Sequence, residues 1–507
     1  MMLNRFTPAR MKTAAAIGAI GLAAGCAMSD DVALTIYSTA TPGAISPDLY
    51  RPVPGGGSMG YSRYQQIPGY AIVKQERELE FERGVSELSF QGVAALLDPT
   101  TVMFESLSDP DGTTVLEQDY RFDLLSMDKM LERYIDKEIV WNGQEVTLMS
   151  VSGGGMLIRG DEGAIQFVSG YDGVKFPAIA DGLITRPTLN WMVNSRRGGK
   201  QDTQISYETK GITWWADYNL IYEEGRTPNE GTIDLSAWVS ILNQSGGSYE
   251  DANLKLVAGD VNRAPRGGGG GQSLYPESRM MAADMQSKGF EEQSFFEYHL
   301  YTLGRPTTIP DRSTKQLELF EQANDIEVKK RFLFDGTAQY MRYGGRQDNE
   351  QFGIGGDTKV QVFIQFDNKE DEGLGMPLPS GRIRVSQLDE NDGSFEFIGE
   401  DTIDHTPRNE EVTIKLGNAF DVVGERRQVS FERGRNWMTE TIEVKVRNQK
   451  EDAVEVHIQE HLYRWSNATI REISHDHEML DTRTMHIPVT IRPEGEAVVT
   501  YTVHYSW

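Results

Sequence analysis

Between Gln204 and Asp260 apolar side chains recur at every second residue, and this alternation commits the middle of the chain to antiparallel β-structure. Trp214, Ala216, Tyr218, Leu220 and Tyr222 fall on one face, and Trp215, Asp217, Asn219 and Ile221 on the other. After a polar break at Arg226–Gly231, Ile233, Leu235, Ala237, Val239 and Ile241 alternate with Asp234, Ser236, Trp238 and Ser240. Asn243–Gly247 reads as a turn, after which Leu254, Leu256 and Ala258 alternate with Asn253 and Lys255. A helix would scatter these side chains around its axis, whereas a strand gathers them on one face.

The same period appears on both sides of this stretch. Upstream, Tyr70–Phe81 and Ser86–Phe90 predict a hairpin, and Leu96–Met103 and Val115–Phe122 predict two more strands. Ser126–Ile135 breaks the period. Met130, Leu131, Tyr134 and Ile135 have helical spacing, and Ser126 stands where an N-cap belongs. From Glu297 onward many short alternating runs are separated by Asp-, Asn- and Gly-rich turns, the pattern of a β-sandwich. The expected fold is therefore mainly β: two packed antiparallel regions of sandwich type, with one short helix near 126–135.

A chain of 507 residues exceeds one core. Its composition divides it into a leader (1–25), a tether (26–60), an amino-terminal β domain (61–265), a Gly/Met-rich loop (266–290) and a carboxyl-terminal sandwich region (291–507). The loop opens with Arg266 and five glycines and carries Met280, Met281 and Met285; it is expected to fold back on the domain.

Arg5, Arg10 and Lys12 precede a short apolar run that ends in small residues before Cys26. The run is too short to span a bilayer and reads as a signal peptide. Leu22-Ala-Ala-Gly-Cys26 is similar to a bacterial lipobox, with Ala23 where a larger aliphatic residue is usual. Cys26 is the only cysteine in the chain, which rules out an intrachain disulfide and makes it the expected lipidation site. More than one acyl chain gives stable anchoring, at ~0.8 kcal/mol per buried methylene. Ala27 after the cysteine suggests passage to the outer membrane. The Ser-, Thr-, Pro- and Gly-rich segment up to Gly60 reads as a coil spanning roughly 30 Å. The expected location is the cell envelope, as an outer-membrane lipoprotein facing the periplasm or the cell surface.

The formal net charge is −26, which repels phosphate backbones and argues against nucleic acid as a partner. Several catalytic spacings occur in the wrong setting. Ser126-x-x-Lys129 resembles a serine acyl-enzyme motif but falls at the helix cap. Gly153–Gly155 lacks the Lys-Ser/Thr ending of a phosphate loop. Asp389–Gly393 lacks the ligand spacing of a calcium loop and reads as a hairpin turn. His457-Ile-Gln-Glu460-His461 matches the inverted zincin motif, which needs a helix to converge its histidines. Here it sits in a strand-like run, which would separate the two histidines by ~13 Å at about 3.4 Å per residue. His475 and His477 lie in a polar stretch, and seven of the eight histidines follow residue 400, so a metal site assembled from several strands is the other arrangement to test.

One set of residues resembles the bacterial domain-of-unknown-function family 4139, related to the mucoidy-inhibitor proteins. It includes Gly92-Val93, Asp98-Pro99, Val115–Tyr120, Arg186–Trp191, Ser206-Tyr207, Gly211–Trp214 and Ala216–Tyr218. Further on come Asn243, Tyr249, Ala252, Leu254, Leu256, Val257–Asp260, Pro377–Arg382, Ile398–Glu400, His405–Pro407, Gly417 and Phe420-Asp421. The resemblance runs from about Tyr70 to the carboxyl end. It implies an exported, β-rich envelope protein and brings no catalytic residues. The coiled-coil-like amino-terminal part of the mucoidy-inhibitor proteins is replaced here by the tether.

The expected function is a non-catalytic cell-envelope lipoprotein. It would be a membrane-anchored β scaffold that binds another envelope protein or a polysaccharide and needs no cofactor. A metal-dependent hydrolase using His457, Glu460 and His461, with His475 and His477 as further ligands, is one alternative. A surface adhesion or assembly module is the other, using exposed strand edges.

Overall fold

The period-two stretch forms the strands Ile212–Glu224, Glu230–Asn243 and Tyr249–Ala258. Trp214, Ala216, Tyr218, Leu220 and Tyr222 are buried, as are Ile233, Leu235, Ala237, Val239 and Ile241 opposite them. The first two strands pair along their whole length, from Ile212↔Asn243 to Glu224↔Gly231. The computed structural model describes residues 31–38, 45, 49, 67–121, 125–160, 163–180, 182–259, 290–295, 298–343, 345–389 and 392–507. These residues are mainly β, in several packed and predominantly antiparallel sheets.

Three sandwich units follow one another and share strands. The first is built on Ile212–Glu224, Glu230–Asn243 and the front half of the 23-residue strand Ser313–Asp335. The second uses the back half of that strand, then Lys359–Asp367, Gly381–Leu388, Phe395–Ile403 and the front half of Glu411–Arg433. The third takes the back half of Glu411–Arg433, then Trp437–Asn448, Val454–His461, Thr484–Ile491 and Glu496–Ser506. All of these strands belong to one 13-stranded sheet. A parallel pairing also recurs. In each unit, the strand after the central hairpin strand joins an earlier element: residues 253–257 run beside 33–37, 381–387 beside 216–222, and 456–459 beside 332–335.

Each unit is pinned by one fully buried asparagine at the end of its second long strand. Asn243 donates from Nδ2 to the carbonyls of Gly247 (2.8 Å), Ile309 (3.3 Å) and Pro310 (3.0 Å), and its Oδ1 accepts from Ser245 N–H at 3.1 Å. Asn448 does the same with Asp452 (2.8 Å), Ile491 (3.3 Å), Arg492 (3.1 Å) and Lys450 N–H (3.0 Å). Asn368 donates to Met376 (2.7 Å) and Pro407 (3.0 Å) and accepts from Gly375 N–H at 3.1 Å. An amide offers two donors and an acceptor, which suits it to close a turn and tie it to the start of a distant strand. Ahead of the closing strand each unit also carries one non-glycine residue with positive φ: Arg312 (53°), Asn409 (65°) and Glu494 (47°).

Around the first unit lie an 8-stranded and a 3-stranded sheet, and residues 125–183 form a small separate core of five strands and the helix Met127–Arg133. The helix stands where the sequence places it. Ser126 Oγ accepts from Lys129 N–H at 3.3 Å, so the Ser-x-x-Lys spacing is a helix cap.

Four expectations are corrected. First, within the expected tether, Asp31–Tyr37 is a strand, set between Tyr70–Phe81 and Tyr249–Ala258. Val32, Leu34 and Ile36 are buried, and their period of two outweighs the polar, Pro-rich flanks. Second, the division at 266–290 does not separate two cores. One apolar cluster runs from Val32 to Ile414, because Ile212–Asn243, upstream of that division, pairs with Ser313–Asp335 and Gly381–Leu388 downstream of it. Third, Tyr70–Phe81 and Gly84–Gln91 are consecutive but not a hairpin: they pair with Gly199–Thr209 and Thr188–Ser195 in different sheets. Gly84, at φ +96°, turns the corner. Fourth, residues 99–101 are a 3-10 turn, and the strand begins only at Met103; Asp98 Oδ1 takes the Thr100 N–H at 3.0 Å and Pro99 offers no donor. The leader, Cys26 and the segment 266–289 lie outside the described residues.

Candidate functional site

Val454–His461 is a strand, so the spacing His457-x-x-Glu460-His461 does not converge. His457 and His461 share a half-buried face, and Glu460 points into the core behind it. His457 Nδ1 meets His486 Nε2 at 2.9 Å with the rings stacked, whereas His461 Nε2 meets Asp335 Oδ2 at 3.1 Å. Burial lowers the His457 imidazole to about 4, helped by Arg331 and His486; burial also lowers His486. His475 bonds to Ser474 on an exposed turn and His477 is exposed. Among the described residues no three metal-ligating side chains converge. Asp389 N–H donates to Ser394 O at 2.8 Å, closing the hairpin between Gly381–Leu388 and Phe395–Ile403.

Glu460 belongs instead to a dry ionic network in the third unit. Arg426 Nε donates to its Oε2 at 2.9 Å, and both side chains are fully buried. Tyr501 Oη donates to the same oxygen at 2.5 Å. Burial would lower the Arg426 guanidinium, but Glu460, Tyr501, Tyr463 and Glu440 together more than reverse this and raise it well above its ordinary value. Burial, then the same carboxylate, raises the Tyr501 phenol. Beside this pair Arg464 Nε donates to Glu440 Oε2 at 2.7 Å, and Tyr505 Oη donates to Oε1 at 3.2 Å.

The remaining guanidinium hydrogens reach the loop 345–356. Arg464 donates to the carbonyls of Asn349 (2.8 Å) and Phe352 (2.8 Å) and to Gln428 Oε1 (2.9 Å); Arg426 donates to Gly353 O at 2.7 Å. The Arg464 fork thus serves a carboxylate and several backbone oxygens at once, and the Arg426 fork a carboxylate and one backbone oxygen, which a lysine does not reproduce. Gly353 is required: its φ is +76°, and a Cβ there would sit 2.2 Å from Tyr463 Oη.

A second feature lies where the three units meet. One arm of a cleft, about 220 Å³, is lined by Tyr222, Phe332, Lys330, Lys450, Gln387 and Asn418, with Phe420 at its lip. Lys330 Nζ lies 5.5 Å from the Tyr222 ring and 2.7 Å from Glu224 Oε1; Lys450 Nζ lies 5.9 Å from the Phe332 ring. A wider arm, about 770 Å³, shares Tyr222, Gln387 and Ile398 and adds Glu223, Glu224, Asp389 and Glu396. Phe420 is 94% exposed. In the Glu411–Arg433 strand, Asn418 pairs with Gln361 and Val423 with Lys359, so four residues face one across a bulge that turns Phe420 outward.

Sequence reasoning singled out the third unit's histidines and missed its arginines, because Arg426 and Arg464 read as solvent-facing charges. It missed the cleft because residues 222, 330, 387, 418 and 450 meet only after three units pack. The one available signal was Phe420, a large apolar side chain among Asn418, Asp421 and glycines. Compared with protein-family models, curated proteins and solved structures, the chain finds no match.

Proposed function

We propose that this protein is a lipid-anchored component of the cell envelope, a β scaffold that binds another envelope component without transforming it. One observation carries the non-catalytic part. The side chains best suited to chemistry, Glu460 with Arg426 and Tyr501, are fully buried and spent on holding a loop. A general base must reach a substrate proton, directly or through one water, and Glu460 faces neither a cleft nor solvent. The anchoring rests on the leader and Cys26, and the residues that resemble family 4139 point to the same reading.

Cell fractionation of the wild type and of Cys26→Ser tests the anchor: the wild type pellets with membranes and the variant is released. A hydrolytic activity in purified protein that falls with His461→Ala would overturn the scaffold reading.

A further inference from the structure

The cleft at the junction of the three units carries its own chemistry. Phe420 contributes nothing to the core, yet its ring stands at the lip of a cavity in the size range of small-ligand sites, ~300–1,000 Å³. Leaving a phenyl in water forgoes the ~1.5–3 kcal/mol that its burial would contribute. The bulge that exposes it is a specific local distortion of the Glu411–Arg433 strand.

The walls narrow the class of ligand. An aromatic face is electron-rich and attracts the weakly positive C–H face of a pyranose ring. Gln387 and Asn418 each offer a donor and an acceptor, matching hydroxyl groups that do both. Lys330 and Lys450 add donors, and Glu223, Glu224, Asp389 and Glu396 add acceptors along the wider arm. Two lysines against four carboxylates, on a chain of net charge −26, repel a polyanion.

We propose that this cleft binds a neutral or N-acetylated oligosaccharide, with one sugar ring stacked on Phe420 and the chain running along the carboxylate-lined arm. This deepens the proposed function and rests on the reading that the protein binds an envelope component. Anchoring and sugar binding fail independently. An unacylated Cys26 removes the envelope location and leaves the cleft intact, whereas a cleft that ignores sugars leaves the anchor intact.

The test is calorimetric titration of the purified full chain with N-acetylglucosamine tetramer, maltotetraose and polygalacturonate. At least one neutral tetrasaccharide binds, and polygalacturonate does not. Phe420→Ala weakens the binding roughly tenfold without changing Tm, because the ring is 94% exposed and buries almost nothing on folding. Glu396→Ala, on the other arm, also weakens it. The proposal is overturned if neither neutral sugar binds at millimolar concentration, if Phe420→Ala binds as well as the wild type, or if the polyanion binds best.

Discussion

Arg464→Met tests what the buried network does. The substitution keeps most of the volume and removes every donor. Glu440, whose side chain is 1% exposed, then keeps Tyr505 Oη as its donor among the contacts described above. The carbonyls of Asn349 and Phe352 and the Gln428 amide oxygen lose theirs. Removing one partner of a buried ion pair costs about 3–5 kcal/mol, and each orphaned buried acceptor adds about 1 kcal/mol or more. The loop can swing out to hydrate its carbonyls, so the net expectation is about 4 kcal/mol. Urea unfolding followed by tryptophan fluorescence measures it, and amide exchange over 345–356 reports the loop separately. Adding Glu440→Leu to Arg464→Met recovers the carboxylate share and leaves the loop still exchanging fast. A loss below about 1 kcal/mol with unchanged exchange at the loop would refute the assignment.

Three further outcomes follow from the geometry. Asn448→Ala strips three carbonyls of their donor and lowers stability by about 3 kcal/mol, measured by the same unfolding curves; Asn243→Ala behaves alike. The folded pKa of His457, about 4, lies below the ordinary 6.5, so the unfolded chain takes up the proton first. Stability is therefore full above pH 6.5 and falls as pH drops from 6.5 toward 4, by less than about 3 kcal/mol after allowing for solvent screening. His457→Gln flattens that slope in unfolding curves taken between those limits. Intact-mass spectrometry of protein from cells finds Cys26 at the amino terminus carrying acyl chains; an unmodified residue 26 would remove the anchor.

Much of the fold was legible because burial on one face leaves a period of two. Ile212–Asn243 was read residue by residue, but several of its polar residues are buried against the polar-outward rule: Thr213, Ser240, Asn243 and Asp217. Asp217 is 8% exposed because Arg382, Trp215 and Ser240 all bond to it. The two long shared strands were not legible as single elements, since the sequence after Glu297 shows only short alternating runs. Bulges shift the register of Ser313–Asp335 against its partner near Leu235 and Ala237, so the buried set moves from Leu317 and Leu319 to Ile326 and Val328 and the alternation loses phase. The helix was legible through Ser126 and the spacing of Met130, Leu131 and Tyr134. Arg426 and Arg464 were not, since charge normally marks the surface and only the assembled sandwich supplies their partners.

The two 23-residue strands each serve two neighbours, so no cut along the chain leaves a finished sandwich on both sides. A fragment beginning after residue 335 would strip the second unit of its first strand and orphan the backbone groups along one edge of Lys359–Asp367. Beads on a string can be lost one at a time, but these three must melt together or spread damage into a neighbour. A pull on the amino-terminal end of the array would accordingly be resisted by the array as a whole.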